Sequence, residues 1–206
     1  MIQNLLFDLG GVIMDIRKDN CVLALRELGF HNPDEYLGDY SQKGPFGQLE
    51  QGLITPDEFR GFVRSQIDGP VTDMQIDDAF NEFLIGIPVE RLRLLQQLRH
   101  TYGIYLLSNT NAIMWNARIA EEFRKDGLDI DAYFDGIVTS FEAKLLKPDV
   151  KIFDYAAAHC DIKPEETLFL DDSLANLGAA EKAGFRTAHV PEGVEYSKVL
   201  ADLNLL

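Results

Sequence analysis

The sequence predicts an α/β protein: a parallel sheet between two layers of helices, with a helical cap inserted after the first strand. Three observations predict it. From Pro88 onward, short apolar runs of strand length alternate with amphipathic helical stretches. A similar apolar run, Ile2 to Phe7, opens the chain. Between the two, residues 17 to 87 carry helical periodicity and few strand-like runs.

Each element has its own warrant. Ile2 to Phe7 reads as a buried strand that ends at Asp8, where Gly10 and Gly11 supply a flexible turn. Val22, Leu25 and Leu28 share one helical face, closed by Gly29. Thr55-Pro56-Asp57-Glu58 is a helix start: Thr55 at the cap, Pro56 first inside, Glu58 closing a capping box, with Phe59, Phe62 and Val63 following on one face. Asp73 to Leu84 is a further predicted helix. Val89 to His100 is amphipathic through Leu92, Leu95 and Leu98. Ile104 to Leu107 is a strand ending at Ser108-Asn109-Thr110, with a helix expected from there to about Lys125. Gly136 to Thr139 is a strand, and Val150 to His159 a helix after Pro148. Thr167 to Leu170 is a strand ending at Asp171-Asp172. Ala175 to Ala183 is a helix closed by Gly184, and Arg186 to Val190 a last strand. Strands that alternate with helices form parallel sheets covered on both faces. The expectation is therefore a three-layer, Rossmann-like core from residues 1–15 and 88–206, and a cap from 16–87.

Bulk composition narrows the function. The chain has 206 residues, enough for one domain carrying a smaller insert, and 46% of them are hydrophobic. With 19 basic and 34 acidic residues the net charge is -15. Such a chain does not seek nucleic acid or anionic lipid through bulk electrostatics. It also repels anionic metabolites at long range, so a phosphate site has to be built locally from a cation, backbone amides and a few basic side chains. No apolar stretch is long enough to span a bilayer, and Met1 to Ile13 does not read as a signal peptide, so a cytoplasmic protein is expected. Cys21 and Cys160 have no partners at metal-ligand spacing and read as small buried hydrophobes. His31, His100, His159 and His189 are scattered and share no motif, and Trp115 reads as a packing residue.

The unusual polar residues share one location. Asp8, Ser108 and the pair Asp171-Asp172 each stand where an apolar strand run stops, and the carboxyl edge of a parallel sheet is where open α/β folds bind ligands. Lys147, just before Pro148, can reach the same edge. Three clustered carboxylates raise one another's pKa unless a cation joins them. Magnesium suits them: a hard ion that takes carboxylate and carbonyl oxygens and keeps waters for a phosphate. Ser108 and Lys147 then offer a donor and a positive charge to the remaining phosphate oxygens.

Phe7-Asp8-Leu9-Gly10-Gly11-Val12, Leu107-Ser108-Asn109-Thr110, Lys147-Pro148 and Leu170-Asp171-Asp172-Ser173 resemble the four ordered motifs of the haloacid dehalogenase superfamily. The overall pattern is most similar to the branch holding sugar-1-phosphate phosphatases and the phosphatase domain of epoxide hydrolases. The resemblance implies a phosphatase of small phosphorylated metabolites, such as a sugar 1-phosphate. Asp8 would attack phosphorus and carry a transient aspartyl-phosphate. Magnesium would be held by Asp8, the Gly10 carbonyl and Asp172, with Asp171 alongside. Ser108, Asn109 and Lys147 would bind the phosphoryl oxygens, and the helical block would close over the substrate as a mobile cap. A small-molecule partner, and a monomer or weak homodimer, are expected.

One position departs from the pattern. Most phosphatases of this superfamily carry a general acid two residues after the nucleophile, and here that residue is Gly10. Such a group contributes roughly 3 to 5 kcal/mol of barrier lowering. Three readings follow: a substrate with a good leaving group such as an anomeric oxygen; another acid standing in, with Asp15 nearest in sequence though an exposed linker residue is the plainer account of it; or a degenerate binding protein with the same fold. A phosphomutase and a metal-free dehalogenase are further alternatives, and Asp171-Asp172 argue against the last. The Ser41 to Gly47 loop, with Lys43 and Phe46, is a candidate for substrate contact, and Glu50 and Gly52 are expected to set a turn.

Overall fold

The computed structural model describes residues 1–38 and 41–206. Strand β1 (Asn4–Phe7) is buried through Leu5, Leu6 and Phe7. The chain turns through Gly11, at a φ of +76° that favours glycine, into the short β2 (Asp15–Ile16). Among the described residues, four α-helices follow: α1 (Lys18–Glu27), α2 (Gly44–Glu50), α3 (Pro56–Ser65) and α4 (Asp73–Asn81). Strand β3 (Leu84–Gly86) then pairs antiparallel with β2, so the entry to the helical block and its exit are bonded to each other.

The rest of the chain alternates. Helix α5 (Val89–Leu98) leads to β4 (Gly103–Ser108). A broken helical stretch follows: α6 (Ala112–Met114), a π-helical turn (Trp115–Ile119) and α7 (Ala120–Phe123). Then come β5 (Gly136–Thr139), α8 (Ser140–Ala143), α9 (Val150–His159), β6 (Thr167–Asp171), α10 (Leu174–Lys182), β7 (Arg186–His189) and α11 (Tyr196–Asp202). The main sheet runs β5-β4-β1-β6-β7 and is parallel at every pairing. Buried residues line both of its faces: Leu5 and Phe7 join one cluster, Leu6 and Phe169 the other. That is the two-sided burial that makes parallel strands read as unbroken apolar runs.

Register decides where the polar residues emerge. Phe7 lies opposite Leu106 on one side and Leu170 on the other. The residues just beyond, Asp8, Ser108 and Asp171-Asp172, therefore leave the sheet at one edge.

The helical block holds itself together with aromatic rings. Phe46 contacts Phe30, Tyr36, Phe59 and Phe80, with centroids 4.8 to 6.2 Å apart. The Thr55 capping box is present in full. Four expectations need correction. The helix expected to reach Leu84 stops at Asn81, because Leu84 is taken into β3. The helix expected from Thr110 to Lys125 is interrupted by the π-helical turn. Ser41 to Gly47 is not a plain loop: Gly44 onward is helix α2, Phe46 is buried in the aromatic cluster and Lys43 is exposed. Gly52 does turn the chain, at φ +64°, but Glu50 ends α2 with its side chain at the sheet edge.

Candidate active site

Lys147 is the organising group. It is 3% exposed, and its ammonium donates to Asp8 Oδ1 at 2.7 Å, to Asp171 Oδ2 at 2.8 Å and to the Leu107 carbonyl at 3.1 Å. All three donor positions are used, and the Phe169 ring lies 5.3 Å from the nitrogen. Burial alone would lower its pKa, but Asp171 and Asp8 outweigh burial and raise it, so the lysine is a fixed cation. Its main chain is equally fixed: the Asn109 amide donates to the Lys147 carbonyl and accepts the Lys147 N–H, each at 2.9 Å.

Carboxylates from Asp8, Asp171 and Asp172 offer oxygens within 4.8 Å of one another. Burial is the main reason that Asp8 is pushed up to about 7; Lys147 opposes the shift, and Asp171 and Asp172 add to it. Asp172 is pushed up to about 6, again chiefly by burial and then by Asp171. Asp171 differs from its neighbours in being fully paired. Its oxygens accept from Lys147, from the Ser173 N–H at 2.8 Å and from Asn176 at 3.0 and 3.1 Å. The Gly10 carbonyl accepts no hydrogen bond among the described residues. A divalent cation fits this donor set: two carboxylates that repel each other, a third carboxylate behind them and the unbonded carbonyl of Gly10, which lines the same cavity, all oxygen and no sulfur or imidazole.

Above these groups lies a cavity of about 100 Å³. Asp8, Ser108, Asn109, Lys147 and Asp172 form its polar floor. Leu37, Phe80 and Phe83 from the helical block form an apolar wall. Six of the seven site residues expected from the sequence (Asp8, Gly10, Ser108, Asn109, Lys147 and Asp172) line the cavity, Asp171 lies fully buried behind Lys147, and Asn109 commits part of its side chain to the Lys147 main chain. Asp15 does not join them. Its carboxylate pairs with Arg91 at 2.8 Å, and Arg91 is itself clamped by Glu195.

Sequence reasoning missed Asn176 and Glu50, both of which line the cavity. Asn176 has a weak signal in its place on the helix that follows Asp171-Asp172. Glu50 has none, because it arrives from a different part of the chain.

The comparisons agree with this geometry. A family-level profile described as haloacid dehalogenase-like hydrolase matches residues 2–184. This chain is a haloacid dehalogenase-like hydrolase. A D-ribitol-5-phosphate phosphatase of Bacteroides thetaiotaomicron is 34% identical over 97% of both chains. The bifunctional epoxide hydrolase 2 of Mus musculus is 24% identical over 88% of this chain and 35% of its own. Among solved structures, a Bacteroides thetaiotaomicron enzyme of the haloacid dehalogenase family, an Asp-to-Ala variant in complex with magnesium and inorganic phosphate, superposes with a TM-score of 0.93. It is 38% identical, over 97% of this chain and 99% of that one. The match to that structure covers 97% of this chain, and so includes the helical block.

Proposed function

We propose that this enzyme is a magnesium-dependent phosphatase of small sugar or polyol phosphates, working through an aspartyl-phosphate on Asp8. The observation that carries the reading is Lys147 held between Asp8 and Asp171 beneath the cavity, with Asp172 facing Asp8. Support also comes from the relative that acts on D-ribitol 5-phosphate and from the structural neighbour that binds magnesium and phosphate.

The cation would be held by Asp8, Asp172 and the Gly10 carbonyl, with Asp171 behind them. When bound there, it supplies positive charge to the phosphoryl oxygens and keeps Asp8 ionised. Lys147 fixes one Asp8 oxygen and leaves the other for in-line attack on phosphorus. Ser108 and the main chain of Asn109 orient the phosphoryl group. Asp171 and Asn176 act indirectly, by holding Lys147 in place. The helical block of residues 16–87 serves as the cap: Leu37, Phe80 and Phe83 exclude water while the β2–β3 pair tethers the motion. An anomeric substrate such as a sugar 1-phosphate has a leaving group that needs less protonation; a polyol phosphate needs an acid. The protein acts in the cytoplasm, as a monomer or weak homodimer.

The test is a panel of sugar and polyol phosphates with and without magnesium. Turnover should vanish on chelation and fall by at least about 10³-fold in Asp8→Asn. Hydrolysis that persists in either condition would sink the reading.

A further inference from the structure

Protonating a polyol leaving group requires an acid, and two obvious places for one are closed. Position 10 is glycine, and a side chain there would meet Ile16 Cδ1 at 3.2 Å, so apolar Ile16 occupies the ground such an acid would use. Asp15 is committed to Arg91.

Among the described residues, Glu50 is the remaining carboxyl group that lines the cavity besides Asp8 and Asp172. It is half-buried by surface area and enclosed by protein. No hydrogen bond or ion pair to its carboxylate occurs among the described residues, whereas the buried Asp8, Asp171 and Glu122 are paired. Its position is held by a latch between the helical block and the core. Ser140 donates to the Glu50 carbonyl at 2.6 Å, and the same hydroxyl accepts the Thr110 N–H at 2.9 Å. The Gln51 amide donates to the Lys144 carbonyl at 3.2 Å, and the Lys144 ammonium bonds to the Gly52 carbonyl. The Ser108-Asn109-Thr110 loop and the end of α2 are thus tied through one buried serine.

Resting on the phosphatase reading above, we propose that Glu50 is the general acid and base of this enzyme, delivered from the helical block in place of the residue that Gly10 lacks. In the first step the Asp8 oxygen bonds to phosphorus, the bond from phosphorus to the ester oxygen breaks, and the Glu50 proton goes to that oxygen to give a neutral alcohol. In the second, Glu50 as carboxylate takes a proton from the attacking water. The water oxygen bonds to phosphorus, the Asp8–phosphorus bond breaks, and inorganic phosphate, ionised Asp8 and protonated Glu50 result. Its surroundings suit both steps. Burial pushes the Glu50 carboxyl up to about 7; Lys147 opposes the shift, and Asp8 adds to it.

The experiment compares wild type, Glu50→Gln and Glu50→Asp with magnesium on two substrates, D-ribitol 5-phosphate and p-nitrophenyl phosphate. Nitrophenolate leaves without a proton, and kcat/KM reports the first, leaving-group step. For Glu50→Gln, kcat/KM on the alkyl ester should fall by about 10²- to 10⁴-fold, and on the aryl ester by at least ~10-fold less. Glu50→Asp should recover part of the loss. Equal losses on both esters, no loss, or a loss confined to KM on the polyol phosphate would overturn the assignment while leaving the phosphatase reading intact. A wild-type enzyme that turns over no phosphate ester would remove both.

Discussion

At the scale of single residues, the site is a set of charges tolerated because each has a partner or awaits one. Glu50 has no partner among the described residues, and this has a thermodynamic signature. Its carboxyl is raised from an ordinary 4.5 to about 7. A raised acid binds more protons folded than unfolded, so its contribution to stability falls as pH rises between those two values. The penalty is absent in acid and complete above about pH 7, on the order of 3 kcal/mol. Asp8 and Lys147 face the same group and titrate in both proteins being compared. In chelator, Glu50→Gln should therefore be more stable than wild type at about pH 8, and most of that gain should vanish near pH 5. Denaturant melts at the two values check it, and an equal gain at both would contradict it. Gly11 is the second sensitive position. A Cβ there would stand 2.4 Å from Asp172 Oδ2, at a φ of +76° that strains any other residue. Gly11→Ala should displace Asp172 and weaken magnesium binding by about 10- to 100-fold, measured by calorimetric titration.

At the scale of elements, some boundaries follow local chemistry and others do not. The Thr55 cap is local: the Glu58 N–H donates to Thr55 Oγ1 at 3.2 Å, and Glu58 accepts the Thr55 N–H at 2.7 Å. Thr55→Ala should cost about 1 kcal/mol of stability by thermal or urea melting, with kcat little changed, because the cap lies outside the cavity. Helix α9 is likewise bounded where Pro148 and its periodicity place it. The stretch after Ser108 behaves differently. Asn111 caps α6, accepting from the Ile113 and Met114 N–H groups at 3.1 Å, and the π-helical turn follows. Ile119 and Met114 meanwhile face the cavity. A π-turn rotates the side chains that follow it, and no periodicity in the sequence announces the shift. Strands β2 and β3 were equally unreadable: two and three residues long, they exist because each finds the other across about 70 residues of helical insert.

At the scale of the whole molecule, a chain of net charge -15 gathers three carboxylates at one point, and cation binding should stabilise it accordingly. With magnesium at 100 times its Kd, linkage supplies about 2.7 kcal/mol, which is roughly 5–10 °C in Tm for a chain of this length. Asp172→Asn should remove most of the shift in a thermal melt. No helix among the described residues is long and apolar enough to cross a membrane. The latch through Ser140, Gln51 and Lys144 joins the helical block to the core close to the cavity.

Read alone, the amino-acid order is enough for the alternating core and for the edge on which Asp8, Ser108, Asp171 and Asp172 stand. Those features are local or ordered along the chain: strands end where apolar runs end, and parallel strands present their carboxyl ends together. The folded chain alone shows that Asp15 belongs to Arg91, that Asn109 bonds the Lys147 main chain, and that Glu50 shares a cavity with Asp8. Each depends on which side chains approach from segments far apart in sequence, and burial makes those meetings matter, because a charge withdrawn from water takes its properties from whatever group stands beside it.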